Sequence, residues 1–197
     1  MNSRVYKMTA RATSAEQTGA RVVDAMLERF GRLPYDQIRL DDVAADAGVT
    51  VQTVIRRFTS KAGVMRATVE RELERIASAR EAGASAEMEG ILADLVAHYE
   101  TYGALILKVY SEAGQVDGLA PLVAAGRDYH LSWCRRTFEQ HLDTGLDDLT
   151  RRRRLAQVTA ACDATTWRIL RIDAGLDPEQ TRLAIAEVVM PLLDPRQ

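Results

Sequence analysis

The chain has 197 residues, 47% of them hydrophobic, and a formal net charge of −2 at pH 7, which excludes a polycation and leaves ample apolar material for one or two packed domains. Its two cysteines, Cys134 and Cys162, are too few for a disulfide framework. The longest strongly apolar run, residues 104–107, is too short to span a bilayer, and no hydrophobic stretch follows the N-terminus. We therefore expect a cytoplasmic protein.

Helical periodicity dominates the chain, and Ala, Leu, Glu and Arg are frequent while Gly and Pro are sparse. Residues 1–12, with Arg4, Lys7 and Arg11, are predicted to form a flexible basic tail. The capping-box spacing of Thr13 and Glu16 predicts the first helix. About nine helices are expected, over residues 13–31, 40–47, 51–58, 60–83, 87–101, 102–110, 121–141, 148–173 and 178–192.

The second and third predicted helices have the spacing of a helix-turn-helix. Val43 and Val54 lie where two short helices bury apolar side chains against each other. Gly48 falls where the first of them must end with a positive φ, which glycine adopts without a Cβ clash. Thr50 can cap the next helix through its side-chain oxygen. In this motif the second helix enters the major groove, so the pattern predicts a sequence-specific DNA-binding protein and not an enzyme.

The side chains left outside the buried face of the third helix are the candidate DNA contacts. Gln52 can form two hydrogen bonds with adenine, and Val51 and Ile55 can contact a thymine methyl group. Hydroxyl and cationic side chains are expected to bind phosphates and to position the helix without reading sequence. These candidates are Thr50, Thr53, Arg56, Arg57 and Lys61. The N-terminal third of the chain is net basic and the remainder net acidic, which fits one DNA-facing end.

The segment from Val43 to Val64 resembles the DNA-binding signature of the TetR family of transcriptional regulators. The matching pieces are Val43-Ala44, Ala47-Gly48-Val49-Thr50, Thr53-Val54, Arg56, Phe58 and Ser60-Lys61. One departure is Ala62-Gly63, which stands where the family usually has an acidic residue. We expect Gly63 to weaken the start of the fourth helix.

The resemblance implies an all-α fold with a three-helix DNA-binding domain, residues 1–60, and a larger effector-binding and dimerisation domain, residues 61–197. It also implies a repressor that binds a near-palindromic double-stranded operator and that a small-molecule effector releases from it. This repressor is expected to be a homodimer formed through its last two helices. The implied effector pocket has candidate aromatic walls and candidate polar groups. The aromatic residues are Tyr99, Tyr102, Tyr129, Trp133 and Trp167, and the polar ones are His98, His130 and Thr166.

Two other functions stay open at this stage. One is a helix-turn-helix protein that binds DNA without an effector and is controlled by a protein partner. The other is a helical binding module or enzyme in which the motif is incidental. His130 and Cys134 have helical spacing but are only two ligands, so no metal site is predicted. No cofactor and no membrane partner are expected, and the sequence contains no nucleophile motif and no Gly-rich phosphate loop.

Overall fold

Nine α-helices and no strand make up the part of the chain described by this computed structural model, which is residues 3–83, 85 and 87–193, with side chains from Thr13 onward. The predicted all-helical fold is therefore confirmed. The helices are α1 (Ser3–Arg32), α2 (Leu40–Asp46), α3 (Val51–Phe58), α4 (Lys61–Ala82), α5 (Met88–Glu112), α6 (Ala120–Phe138), α7 (Asp148–Ala161), α8 (Ala164–Arg168) and α9 (Pro178–Leu193). Short 3₁₀ turns cover Tyr35–Gln37, Ala113–Gln115 and Glu139–His141, and a π-helical turn covers Ile169–Asp173.

The first helix is longer than its capping-box spacing predicted. Its backbone begins at Ser3, ahead of Thr13. The side chains of residues 1–12, including Arg4, Lys7 and Arg11, lie outside the described residues, so the role of this basic segment stays a prediction.

The predicted break between residues 101 and 102 is wrong, because α5 runs through it without interruption. Gly103, just after this position, has a packing role in the structure. A Cβ at position 103 would lie 2.5 Å from the ring of Trp167, closer than side chains approach each other. The glycine therefore lets the indole lie directly on the helix backbone.

The single helix predicted over residues 148–173 is also wrong. Helix α7 ends at Ala161, and Asp163 starts α8 by accepting a hydrogen bond from Thr165 N–H at 2.8 Å. The aspartate therefore acts as the N-cap of α8.

The chain divides into two packed units, each with its own core. The first unit comprises Met1–Glu72 and Glu112–Leu122. Its core joins α1, α2 and α3, and its largest fully buried side chains include Met26, Phe30, Ile38, Val43, Val54 and Met65. The carboxylate of Glu112 is buried in this unit and accepts a hydrogen bond from Tyr35 N–H at 2.6 Å. The turn that precedes α2 is therefore stabilised by a residue that lies 77 positions further along the chain.

The second unit comprises Leu73–Ser111 and Val123–Gln197. Its core is formed by buried apolar residues of α5 to α9, among them Leu92, Leu95, Phe138, Val158, Ile185 and Val189. The hydroxyl of Tyr99 donates to the Cys162 carbonyl at 2.9 Å, which satisfies a buried polar group inside that core. These two units are defined by packing. The predicted boundary near residue 60, between a DNA-binding domain and an effector-binding domain, stays a prediction.

Candidate functional site

The turn between α2 and α3 has the backbone geometry that its sequence predicts. Gly48 has φ of 65°, and the Val49 N–H donates to the Ala44 carbonyl at 3.0 Å. The Thr50 side chain accepts a hydrogen bond from Thr53 N–H at 3.2 Å and so caps α3. Both predictions, the glycine at positive φ and the threonine cap, are confirmed. The turn fixes the direction of α3 relative to α2.

One face of α3 is buried and the opposite face is open. Val54 is 1% exposed and packs in the core of the first unit, whereas Ile55 is 38% exposed. Gln52 and Arg56 are also exposed, and Val51 and Thr53 are half-buried. The open face thus presents an amide, an aliphatic side chain and a cation within about one helical turn. These are the three chemistries needed to read bases and to bind phosphates.

The three predicted cations around α3 have different environments. Arg57 donates from Nη1 to the Ala15 carbonyl at 2.9 Å and packs on Gly19, where a Cβ would overlap the guanidinium. Lys61 donates from Nζ to the carbonyls of Tyr35 and Ile38, each at 2.9 Å. Its ammonium also lies 4.1 Å from the centre of the Tyr35 ring.

Arg56 differs from both, because within the described residues it forms no hydrogen bond or ion pair. It is therefore the cation most available to an added phosphate. The hydroxyl groups of Thr50 and Thr53 form a hydrogen bond with each other, with their oxygens 3.0 Å apart. Thr50 is exposed.

Glycine has a clear structural role at the start of α4. A Cβ at Gly63 would overlap the carbonyl oxygen of Phe58, the last residue of α3. The amide of Gly63 also donates to the Ser60 hydroxyl at 3.0 Å. Apart from its expected cost to helix propensity, Gly63 therefore lets the end of α3 approach the first turn of α4.

The second unit contains a pocket of about 730 Å³ among α4, α5 and α6, hereafter the α4–α6 pocket. Tyr102 and Trp133, two of the five predicted aromatic residues, line it. The full lining is Ala79, Arg80, Glu81, Gly83, Ser85, Ile91, Asp94, Leu95, Ala97, His98, Thr101, Tyr102, Trp133, Arg136, Thr137 and Gln140. Its size falls within the range of small-molecule sites.

The other three predicted aromatic residues are not among these lining residues. Tyr99 is buried beneath the pocket, with its hydroxyl bound to Cys162. Tyr129 donates to the Ala77 carbonyl at 3.2 Å, and Trp167 donates to Glu100 at 2.8 Å.

Two polar side chains that line the α4–α6 pocket are His98, a polar candidate from the sequence, and Arg80, which was not a candidate. His130 and Thr166, the other polar candidates, are not among its lining residues. Arg80 belongs to α4 and His98 to α5, and His98 is 8% exposed. Burial lowers the pKa of His98 to about 3, and the positive charge of Arg80 acts in the same direction. This imidazole is therefore neutral near pH 7.

No three side chains of the metal-binding types lie together anywhere in the described part of the chain. His130 and Cys134 do approach each other, with Sγ and Nε2 3.6 Å apart. Burial raises the pKa of the Cys134 thiol to about 12, so this sulfur is protonated near pH 7 and is a poor metal ligand. Of the helices described, none combines the length and apolarity needed to cross a membrane.

Comparison with known proteins gives one sequence match and several structural ones. Residues 22–68 match the family described as bacterial regulatory proteins, tetR family. No curated protein matches the chain. The fold is similar to that of a transcriptional regulator from Rhodococcus sp. Rha1, at 14% identity and a TM-score of 0.67, covering 92% of this chain and 97% of that one.

Two further solved structures share the fold. NalD of Pseudomonas aeruginosa, described as the secondary repressor of the MexAB-OprM multidrug efflux pump, is 16% identical with a TM-score of 0.58, covering 91% of this chain and 97% of that one. FadR of Bacillus halodurans, described as a fatty acid degradation regulator, is 16% identical with a TM-score of 0.59, covering 89% of this chain and 94% of that one. At these identities the likeness concerns the fold alone.

Proposed function

Because this chain belongs to the TetR family of bacterial regulatory proteins, we propose that it is a repressor that a small-molecule effector releases from its operator. The family match covers the helix-turn-helix and makes the chain a DNA-binding transcriptional regulator. The observation that carries the proposal is the open face of α3, where Gln52, Ile55 and Arg56 are exposed beside a confirmed turn and cap.

The exposed residues of α3 divide into base readers and phosphate binders. We assign base contacts to Gln52 through its amide and to Ile55 and Val51 through their aliphatic groups. Arg56 is assigned to a phosphate, because it is exposed and has no partner within the described residues.

Thr50, Thr53, Arg57 and Lys61 are also proposed to contact the DNA backbone. In the free protein, however, the side chains of Arg57 and Lys61 already donate to carbonyl oxygens. We infer that these two cations first fix the position of α3 and contribute to phosphate binding mainly through their charge.

A homodimer is supported by an apolar surface on the second unit. Val188 is 54% exposed and Leu183 is 38% exposed on α9, and Ile169 and Ile172 on the π-helical turn are 49% and 60% exposed. Val188 also lines an apolar groove that includes Ala160, Ala161 and Ala184. Isolated exposed apolar residues are ordinary, but several of them together with an apolar groove are typical of an interface. A two-fold dimer fits a near-palindromic operator.

The effector role rests on the α4–α6 pocket, whose volume of about 730 Å³ is sufficient for a small organic molecule. This pocket favours effector control over control by a protein partner. Release requires that the effector bind the DNA-free conformation more tightly than the DNA-bound one, typically by a coupling of about 1–3 kcal/mol. A chain that binds bacterial DNA is proposed to work in the cytoplasm.

The phosphate role of Arg56 leads to a measurable salt effect. Selection of bound duplexes from a random pool supplies the operator, and affinity is then measured over a range of salt concentrations. Arg56→Ala should weaken binding to all duplexes alike. The slope of log K against log salt should fall in magnitude by about 2, since each phosphate contact occurs twice in a dimer.

Arg32→Ala is the matched control, because Arg32 lies on α1 and pairs with Glu28 at 2.8 Å. This variant loses the same charge but should leave the slope unchanged. Equal effects of the two variants would show that only net charge matters and would contradict the assignment of α3 as the DNA-contacting helix.

A further inference from the structure

Arg80 of the second unit is a cation that has no carboxylate partner among the described residues. Its guanidinium lies over two aromatic rings, 5.2 Å from the centre of Tyr99 and 4.8 Å from that of Trp133. Nη1 contacts His130 Nδ1 at 3.1 Å. Nε is buried and has no hydrogen-bond acceptor, and no ion pair joins Arg80 to any acid in the described residues.

The acidic residues that line the same pocket are already engaged elsewhere. Glu81, next to Arg80 in sequence, accepts from Arg136 at 2.7 Å and from Tyr129 at 3.1 Å. Asp94 accepts from the hydroxyl of Ser85 at 2.8 Å. The carboxylates of Glu81 and Asp94 are therefore bonded to other residues, and neither forms an ion pair with Arg80.

Arg80 is half-buried, and a cation in such a place loses part of its hydration without the compensation that an ion pair would give. The two rings and the imidazole reduce that cost, because a guanidinium is attracted to aromatic faces and can donate to a neutral imidazole nitrogen. None of these groups supplies negative charge. The unpaired guanidinium is the kind of energetically expensive feature that persists at binding sites.

His98 provides a second unpartnered donor on the same pocket wall. It is 8% exposed, and its Nε2 atom is buried without a hydrogen-bond partner. The imidazole ring lies 5.1 Å from the ring of Tyr102, which also lines the pocket. A neutral imidazole can carry its proton on Nε2 and donate it. A small rotation of His98 or Arg80 would turn these N–H groups toward a bound molecule.

We propose that the α4–α6 pocket binds an organic anion, with a carboxylate or similar head group accepting hydrogen bonds from Arg80 and His98. The apolar or aromatic body of the ligand packs against Tyr102, Trp133, Ile91 and Leu95, which line the remaining wall. This assignment rests on the proposed function, because it names the chemical class of the effector. A hydrogen bond to a charged group in a buried site is worth roughly ten- to a hundredfold in affinity.

A matched pair of fluorescent probes tests the assignment on the full chain. 1-Anilinonaphthalene-8-sulfonate and N-phenyl-1-naphthylamine share one aromatic body and differ by a single sulfonate. Titration of the native protein should give at least about tenfold tighter binding of the sulfonate probe. If the neutral probe binds native protein as tightly as the anion, the assignment is overturned, and this comparison needs no variant.

Two variants test whether Arg80 is the source of the preference for the anionic probe. Arg80→Met removes the charge and keeps an unbranched apolar side chain, and it should abolish the difference between the probes while leaving the neutral probe's affinity unchanged. Without ligand it should also raise Tm, because a half-buried charge without an ion-pair partner in the described residues is removed. Arg135→Gln is the control, since Arg135 is an exposed cation on α6 that is not among the residues lining the pocket. An anion preference that persists in Arg80→Met, or disappears in Arg135→Gln, would refute the role of Arg80.

Operator binding, measured separately, distinguishes this inference from the proposed function. If the chain prefers the anionic probe through Arg80 but the sulfonate probe leaves its operator affinity unchanged, the pocket chemistry is supported and effector release is refuted. Operator binding by a chain without anion preference supports the DNA-binding role and refutes the effector class.

Discussion

Gly63→Ala should destabilise the first unit by about 1–3 kcal/mol and weaken operator binding at least tenfold. Alanine is the better helix former, so propensity alone predicts the opposite sign. The steric term dominates because the new Cβ would overlap the backbone carbonyl of Phe58. Relief requires movement of the backbone at the end of α3, which carries the proposed DNA contacts.

Gly31→Ala is the matched control for this prediction. Gly31 also lies in a helix, but a Cβ there meets nothing within 4 Å. This variant should be more stable than the native protein by about 0.5–1 kcal/mol. Denaturant unfolding followed by circular dichroism, with operator titration, measures both effects. Stabilisation by both substitutions would show that α3 and α4 are not in the close contact described.

Val188→Glu should convert the dimer into monomers and reduce operator affinity about a hundredfold or more. Val188 is 54% exposed on α9, so a glutamate there stays solvated in the monomer and costs little. In a dimer interface the same carboxylate would be buried without a partner, which is strongly unfavourable. Loss of the dimer also removes the gain from binding two half-sites at once.

Leu131→Glu provides an equally exposed control, because Leu131 is 53% exposed on α6, outside the proposed interface. Sedimentation equilibrium should find this variant dimeric and Val188→Glu monomeric at the same concentration. A dimeric Val188→Glu protein with native operator affinity would exclude this face of α9 from the interface.

The local part of the DNA-binding unit could be predicted from sequence because its determinants are adjacent in the chain. Gly48 and Thr50 act through their own backbone conformation and through atoms a few residues away. The partners of Lys61, in contrast, are the carbonyls of Tyr35 and Ile38, which no local pattern connects to it. Sequence reasoning could identify a cation near α3 but not its intramolecular contacts.

The pocket was harder to predict for the same reason. Tyr102 and Trp133 were identified as aromatic candidates, yet Tyr99, with the same residue type, points its hydroxyl at a core carbonyl. Arg80 lies near the end of α4, and a solvated side chain is the ordinary expectation for an arginine on a helix. Its half-buried position depends on rings from two other helices, and only the tertiary structure brings these together.

The helix boundaries that differ from prediction have similar causes. Gly103 resembles a helix terminator in sequence, but Trp167, far along the chain, packs against it within α5. Asp163 lies in a stretch of helix-forming residues, and its capping role becomes visible only where α7 ends at Ala161.

The central claim is that the exposed face of α3 reads DNA, and the specificity of Gln52→Ala tests it most directly. Affinity for the selected operator and for every single-base-pair mismatch is measured with the native chain, Gln52→Ala and the control Gln37→Ala, which changes an exposed amide in the turn before α2. We predict that Gln52→Ala loses about 1–3 kcal/mol per half-site and no longer discriminates at one base pair of each half-site, while Gln37→Ala matches the native chain. Unchanged discrimination at every position of the operator in Gln52→Ala would contradict the account.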